Sequence, residues 1–246
     1  MSRIWIALLG FVFLAASTPK ELTDRAKLAT ALLYSQDEAG GMRMHCTVTA
    51  FEKTKVGYKF VSAAHCIGND DTQHEKVATY KNIPFYITFD QTKAKIFLSA
   101  RVKAVGYQHR GDDFSVFEVE TNETWPTIPI GDERKEEEGN PILNIASPLG
   151  LGRQVFHGSI SKIELDRPIV EGDINWKGTV LIQMSGVNGG SSGSAIISEK
   201  QEAIVAFLVG TISGTTITAI PASRFVEFQK RVEEGKYRWS VKEEDQ

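Results

Sequence analysis

The chain has 246 residues, a formal net charge of −3, and 41% hydrophobic and 24% charged residues. These values are ordinary for a soluble globular protein, and the length is enough for one or two domains with a substantial core. The chain has no block or stripe of Lys and Arg, which argues against a nucleic-acid-binding protein. Its two cysteines are too few for a disulfide scaffold, and neither a CxxC pair nor an HExxH motif predicts a zinc site. We therefore expect no metal and no cofactor.

The first 17 residues have the pattern of a secretory signal peptide. Arg3 precedes an apolar stretch from Ile4 to Ala16, which ends in small residues and is followed by Ser17. This stretch is shorter than the about 20 residues that a membrane-spanning helix needs. We therefore predict cleavage near Ala16 or Ser17, a secreted or periplasmic location, and no membrane span after cleavage. An uncleaved N-terminal anchor is the alternative.

Residues 18–41 are predicted to form an N-terminal helical segment. Thr23 can cap a helix over residues 21–38, three leucines recur within it at helical spacing, and Gly40 and Gly41 follow it. We expect this helix to be an appendage that packs on the body of the protein.

The region from residue 42 to residue 221 has the pattern of an all-β fold. Short runs rich in β-branched and aromatic residues alternate with turn signals, and they lie too close together for crossover helices between parallel strands. Such spacing is typical of a sandwich or a barrel. The predicted strands are Cys46–Phe51, Tyr58–Ser62, Phe85–Phe89, Ile96–Val105, Phe114–Val119, Ile142–Ala146, Gln154–Ile163, Val180–Met184, Ala195–Ser198 and Ala203–Ile212.

A stretch at about 121–140 divides this β-rich region in two. It is rich in Thr, Pro, Gly and Glu, which favour turns and loops over strands. The division predicts a first β domain over residues 42–125 and a second over residues 126–221, of comparable size.

The last segment, residues 222–246, is predicted to contain a C-terminal helix and a polar tail. Phe225, Phe228 and Val232 recur at helical spacing, which predicts a helix over residues 222–235. The tail Lys242–Gln246 is polar, and we expect it to be frayed.

Two segments carry residues that nucleophilic catalysis by a serine needs. A serine hydroxyl is a weak nucleophile, so it requires a neighbouring base, a carboxylate that orients the base, and backbone N–H donors for the developing oxyanion. His65 stands in the segment Val61–Cys66, where an apolar strand runs into small residues. Ser192 stands in the segment Gly189–Ala195, where glycines permit a tight turn. Taken alone, this second segment would also fit a flexible linker or a hairpin turn.

Two candidates for the orienting carboxylate lie between these two segments. Asp112 and Asp113 directly precede a half-buried strand, which is a weak signal by itself. The chain order His, Asp, Ser differs from Ser, Asp, His in the α/β-hydrolases and from Asp, His, Ser in the subtilisins. It favours a chymotrypsin-like arrangement, in which the first β domain supplies His65 and the acid and the second supplies Ser192.

Five segments resemble motifs of known peptidases. SAAHC at 62–66, DFSVF at 113–117 and GSSGSA at 190–195 resemble the histidine, aspartate and serine motifs of trypsin-like serine peptidases. ASPLGLG at 146–152 and AIPAS at 219–223 resemble HtrA-like (DegP-type) peptidase domains. The resemblance implies two six-stranded Greek-key β-barrels of the chymotrypsin type, with an N-terminal helix and a C-terminal helix.

The resemblance also implies a secreted serine endopeptidase that acts on protein or peptide substrates. His65 would be the general base and acid, and Ser192 the nucleophile. Asp113 would orient His65, and it is preferred to Asp112 because it directly precedes the Phe-Ser-Val-Phe strand. The amides of Gly190 and Ser192 would form the oxyanion hole. The oligomeric state is not implied.

A disulfide between Cys46 and Cys66 is also implied, because many relatives have one that brackets the catalytic histidine. Three departures from the family pattern have consequences. Ser191 replaces an Asp that pairs with a new N-terminus after zymogen cleavage, so we do not expect that activation route. Ser194 and Ala195 replace the usual Gly-Pro, a change we expect to be tolerated. The residues after AIPAS are too few for a PDZ domain, so we expect none.

The substrate pocket is expected between residues 185–189 and 207–213, which contain no charged residue and no histidine. We therefore predict a preference for small to medium apolar residues before the scissile bond. Two other functions remain open at this stage, a catalytically inactive binding module and an esterase on the same fold.

Overall fold

The structure is a computed structural model that describes residues 18–67, 78–80, 82–89, 96–108, 111–164, 169–171, 174–176 and 178–241. The predicted signal peptide and the polar tail from residue 242 lie outside the described residues. The helices are α1 (Pro19–Ala29) and α2 (Ala222–Glu233). The strands up to the inter-barrel linker (residues 121–140) are β1 (Thr30–Gln36), β2 (Met42–Lys53), β3 (Gly57–Ser62), β4 (Ala78–Tyr80), β5 (Phe85–Thr88), β6 (Leu98–Val105) and β7 (Ser115–Glu120). The strands after it are β8 (Pro141–Ala146), β9 (Gln154–Glu164), β10 (Ile169–Glu171), β11 (Ile174–Trp176), β12 (Thr179–Gln183), β13 (Ala195–Ser198), β14 (Ala203–Thr211), β15 (Thr216–Pro221) and β16 (Trp239–Val241).

Two closed antiparallel barrels of six strands each form the body of the protein. The first has the ring order β1-β2-β3-β7-β6-β5, and the second has the order β8-β9-β12-β15-β14-β13. If the six strands of each barrel are numbered in chain order, both rings read 1-2-3-6-5-4, which is a Greek-key connection used twice. The predicted chymotrypsin-like fold is confirmed.

The N-terminal helix is shorter than predicted. Thr18 is its N-cap, in a capping box with Glu21, and the helix ends at Ala29 instead of residue 38. Thr23 does not cap it, since its hydroxyl donates to a carbonyl within the helix. The next residues form β1, which is buried almost throughout and pairs with both β2 and β5. The first barrel therefore begins at Thr30 instead of residue 42, because a short apolar run fits a buried strand as well as a helix.

The C-terminal helix joins the two barrels, and its predicted position is confirmed to within two residues at its end. Phe225 and Phe228 are fully buried. The Phe225 ring lies 5.2 Å from that of Phe51 in the first barrel and 5.1 Å from that of Phe207 in the second. Phe114 contacts Phe207, Phe225 and Phe228 at 5.6, 5.2 and 5.5 Å. Phe114 belongs to this aromatic cluster and directly follows Asp113, so the backbone that carries the candidate acid is firmly packed.

The inter-barrel linker anchors α2 through a buried acid. Glu133 is fully buried, and its carboxylate accepts hydrogen bonds from the backbone N–H and the hydroxyl of Ser223 in the first turn of α2. A carboxylate at this end of a helix also interacts favourably with the helix dipole.

Among the described residues, no helix is long and apolar enough to cross a membrane.

Candidate active site

The imidazole of His65 is held by the carboxylate of Asp113. His65 lies in a short turn after β3, and Asp113 lies just before β7. Because β3 and β7 pair with Ser62 opposite Ser115, their two flanking segments meet at one edge of the first barrel. Asp113 Oδ2 lies 2.7 Å from His65 Nδ1, and Oδ1 accepts the backbone N–H of His65 at 2.9 Å. The carboxylate is completely buried, so both its position and that of the ring are strongly constrained.

Two opposing effects act on the pKa of His65. Burial by itself lowers this pKa, because it disfavours the charged imidazolium. The negative charge of Asp113 and its hydrogen bond raise it, and together they outweigh the burial. The net pKa of His65 is raised above its ordinary value of 6.5. His65 is therefore a stronger base than a free histidine.

The neighbouring acid, Asp112, has different partners. Its carboxylate lies 2.8 Å from Arg224 and 3.2 Å from Arg231, both on α2, and it accepts a hydrogen bond from the hydroxyl of Tyr237. The structure thus brings His65 together with Asp113, the acid preferred from the sequence, whereas Asp112 attaches the C-terminal region to the first barrel.

Cys46 and Cys66 form a disulfide in the structure. It links β2 to the residue that follows His65 and closes a loop with a sequence separation of 20. By constraining the unfolded chain, a disulfide that closes a loop of this length stabilises the folded protein by about 3 kcal/mol. A ring nitrogen of His65 lies close to both sulfur atoms, but these are bonded to each other and are not free thiolates.

Ser192 lies in a tight turn between β12 and β13, here called the Ser192 turn (residues 189–193). This turn packs against the strand end that leads to His65. A Cβ added to Gly193 would lie 2.3 Å from Ser62 Oγ and 2.4 Å from Ala63 N, so only glycine allows the approach. Gly193 also has a φ of +77°, which favours glycine. His65 and Asp113 thus come from the first barrel and Ser192 from the second, and the Ser192 turn contacts the segment that leads to His65.

The amides of Gly190 and Ser192 are oriented by the carbonyl groups of their own peptide units. The carbonyl of Gly189 accepts the N–H of Leu149 at 2.7 Å, and the carbonyl of Ser191 accepts the N–H of Ser194 at 3.1 Å. In a trans peptide the C=O and N–H groups point in opposite directions. The two amides therefore face away from these partners, and neither donates a hydrogen bond within the described part of the chain.

A cleft of about 420 Å³ opens beside Ser192. It has one wall from the segment before Ser192 and another from β14 and the turn after it. None of its described lining residues is charged, as predicted. The lining residues are Val187, Asn188, Gly189, Ser192, Leu208, Gly210, Thr211, Ser213 and Gly214.

Comparison with known proteins identifies the family. The trypsin-like peptidase domain matches residues 49–206, more than half of the chain. The chain belongs to this family. The mitochondrial serine protease HTRA2 of Bos taurus is 27% identical to this chain over 122 residues, which are 49% of this chain and 26% of that protein.

Solved structures support the same fold. The HtrA-type protease AlgW, solved with a tripeptide and with a decapeptide, matches this chain with TM-scores of 0.66 and 0.67. The identities are 17% and 15%, and each match covers 89% of this chain. The chain covers 65% and 69% of those chains. These matches show that the two-barrel fold is shared with HtrA-type proteases, as the resemblance predicts.

Two residues that contact the Ser192 turn were not predicted as parts of the site. Leu149 acts through its backbone N–H, and Thr47 contacts the turn through both its backbone and its hydroxyl. Backbone roles leave no side-chain signature, and a threonine within a strand is unremarkable in sequence. The ASPLGLG segment that contains Leu149 was identified only by resemblance, without a role.

Proposed function

We propose that this chain is an exported serine endopeptidase that cleaves peptide bonds through an acyl-enzyme on Ser192. The observation that supports it most is the hydrogen bond between His65, whose pKa is raised, and the buried carboxylate of Asp113. The segment that leads to His65 contacts the Ser192 turn, in which the N–H groups of Gly190 and Ser192 donate no hydrogen bond within the described residues. Family membership supports the same reaction class.

The chemistry assigns one role to each residue. His65 accepts the hydroxyl proton of Ser192 as Oγ attacks the carbonyl carbon of the substrate, and the carbonyl oxygen becomes an oxyanion bound by the amides of Gly190 and Ser192. His65 then gives the proton to the leaving amine as the C–N bond breaks. Water attacks the acyl-enzyme with His65 again as base, which releases the acid product and restores Ser192. Asp113 stays ionised throughout and holds the tautomer of His65 in which Nδ1 carries the proton.

Export is supported by two independent features of the chain. The N-terminal sequence has the signal-peptide pattern, and the Cys46–Cys66 disulfide favours an oxidising compartment. N-terminal sequencing of the protein recovered from its host tests this proposal. A mature chain that begins near residue 17 or 18 would support cleavage, whereas one that begins at Met1 would contradict it.

The proposed nucleophile is tested by labelling with a fluorophosphonate probe. We compare the wild type with Ser192→Ala and with Ser161→Ala, a control serine that lies exposed on β9. Labelling of the wild type and the control, but not of Ser192→Ala, would support the proposal. Labelling of all three would show that another residue is the nucleophile. A folded wild type that stays unlabelled would favour an inactive binding module, and hydrolysis of esters without peptides would favour an esterase.

The acid limb of kcat/KM against pH is expected to lie above pH 6.5, the ordinary pKa of histidine. His65 must be neutral to accept the proton of Ser192, so activity falls as the pH drops through its raised pKa. The protonated form also stabilises the fold: that contribution is fully present below the unfolded-state pKa and is lost as the pH rises through the folded-state pKa. A pH series of kcat/KM, with urea unfolding at each pH, measures both effects. A limb below 6.5 would contradict the prediction.

Cleavage is expected after small to medium apolar residues. The described residues that line the cleft beside Ser192 include none that is charged, so a charged substrate side chain would find no partner among them. Burying a charge there without a partner is costly. A peptide library with a varied residue before the scissile bond should favour Ala, Val or Leu over Arg, Lys, Asp and Glu by more than about tenfold. Strong cleavage after a charged residue would refute the assignment of this cleft.

A further inference from the structure

We propose that Thr47 is a positioning residue that keeps the Ser192 turn in the form needed for oxyanion binding. This inference rests on the proposed function. Thr47 lies on β2, in the first barrel, and is completely buried. The turn that it contacts belongs to the second barrel, so Thr47 acts across the junction of the two barrels.

The hydroxyl of Thr47 joins two backbone segments of the second barrel. Oγ1 donates to the carbonyl of Gly190 at 2.9 Å and accepts the N–H of Ser147 at 3.0 Å. A hydroxyl has one proton and two lone pairs, so it can make both bonds at once. A single buried oxygen therefore connects the Ser192 turn to the segment that begins at Ser147.

The backbone of Thr47 extends the connection to the strand end that leads to His65. Its N–H donates to the carbonyl of Ser192 at 3.2 Å. Its carbonyl accepts a hydrogen bond from the hydroxyl of Ser62 at 2.8 Å, and Ser62 is the last residue of β3. The backbone of Thr47 thus links the carbonyl of Ser192 to Ser62, which lies three residues before His65.

The hydroxyl can influence the N–H of Gly190 through two backbone contacts. It binds the carbonyl of Gly190 directly. It also holds the start of the short segment in which Leu149 donates to the carbonyl of Gly189, the bond that directs the Gly190 N–H. Leu149 has a φ of +55°, a conformation that is unfavourable for leucine and needs support from its surroundings.

Removing the hydroxyl would leave the buried N–H of Ser147 and the partly buried carbonyl of Gly190 without this partner. Buried polar groups without partners are costly, so the two segments are expected to shift until they find others. The amide of Gly190 would then lose its alignment, whereas His65 and Asp113 would be unaffected.

The test compares Thr47→Val, which keeps the size of the side chain but removes the hydroxyl, with Thr47→Ser, which keeps the hydroxyl. Thr49→Val is the matched control, because Thr49 lies two residues further along β2, is completely buried, and has a hydroxyl without a hydrogen-bond partner among the described residues. Thermal unfolding confirms that each variant is folded. If Thr47→Val does not fold, Thr47→Ala replaces it, because alanine removes the hydroxyl without adding a methyl group near Ser147.

We expect kcat of Thr47→Val to fall by about 10- to 100-fold, somewhat less than the cost of deleting an oxyanion donor outright. The pH of the acid limb should change little, since the Thr47 hydroxyl bonds to neither His65 nor Asp113. KM should change less than kcat, since the wall of the cleft from β14 and the turn after it lies outside the Ser192 turn. Thr47→Ser should recover most of kcat, and Thr49→Val should match the wild type.

The outcomes separate the two proposals. An active wild type with an equally active, folded Thr47→Val would overturn the role of Thr47 and leave the proposed function standing. Equal losses in Thr47→Val and Thr49→Val would also overturn it, because they would indicate a general effect of altering β2. An inactive wild type would overturn the proposed function, and with it the positioning role of Thr47.

Discussion

Replacing Asp113 by asparagine is expected to lower kcat by about 10⁴-fold while the protein stays folded. Asp113 accepts two hydrogen bonds, from the backbone N–H and from Nδ1 of His65. An asparagine can accept only one of them. Its oxygen should face the backbone N–H, which is always a donor, so its NH₂ group then faces Nδ1. Nδ1 must become an acceptor, the ring proton moves to Nε2, and His65 can no longer accept the proton of Ser192.

This prediction is measured by kcat and by the pH profile of the variant. The acid limb should also move to lower pH, because the negative charge that raises the pKa of His65 is removed. Asp112→Asn is the matched control, a change of the same type at the adjacent buried acid. It should keep kcat within a few fold and instead lower the free energy of unfolding by about 2–3 kcal/mol, since Arg224 and Arg231 lose one counter-charge but keep Glu227 and are partly exposed. Equal losses of kcat in both variants would contradict the assignment of Asp113.

A single methyl group at Gly193 is expected to lower kcat by at least about 10²-fold, the cost of a misplacement of the order of 1 Å. The added Cβ would lie within 2.8 Å of three atoms of Ser62 and Ala63, two of which belong to the backbone. Because the backbone of β3 and its exit cannot move freely, the Ser192 turn must move instead. Gly193→Ala therefore separates Ser192 from the segment that carries His65.

Gly139→Ala is the control for the conformational part of this effect. Gly139 also has a positive φ, of +90°, but an added Cβ there meets nothing within 4 Å. It should cost about 1 kcal/mol in the free energy of unfolding and leave kcat unchanged. Measurement of kcat and of urea unfolding for both variants tests the prediction. A Gly193→Ala protein with wild-type kcat would show that the two barrels do not meet as described.

The candidate site could be predicted from sequence where its chemistry is carried by short segments. His65 and Ser192 stand in contexts whose small residues and glycines are required by the contacts seen at Gly193. The choice between Asp112 and Asp113 rested on a resemblance, because both acids precede the same strand. Only the tertiary structure shows their partners, His65 for one and two arginines of α2 for the other.

The sequence by itself determined the all-β class, the division into two halves and the positions of most strands, because alternation and turn residues are local properties of the chain. Only the tertiary structure decided that Thr30–Gln36 is a strand, since its apolar run is buried by β2 and β5 from elsewhere in the chain. It also decided the place of Thr47. The hydrogen bonds of its hydroxyl join residues 100 and 143 positions away, and no local pattern encodes contacts of that separation.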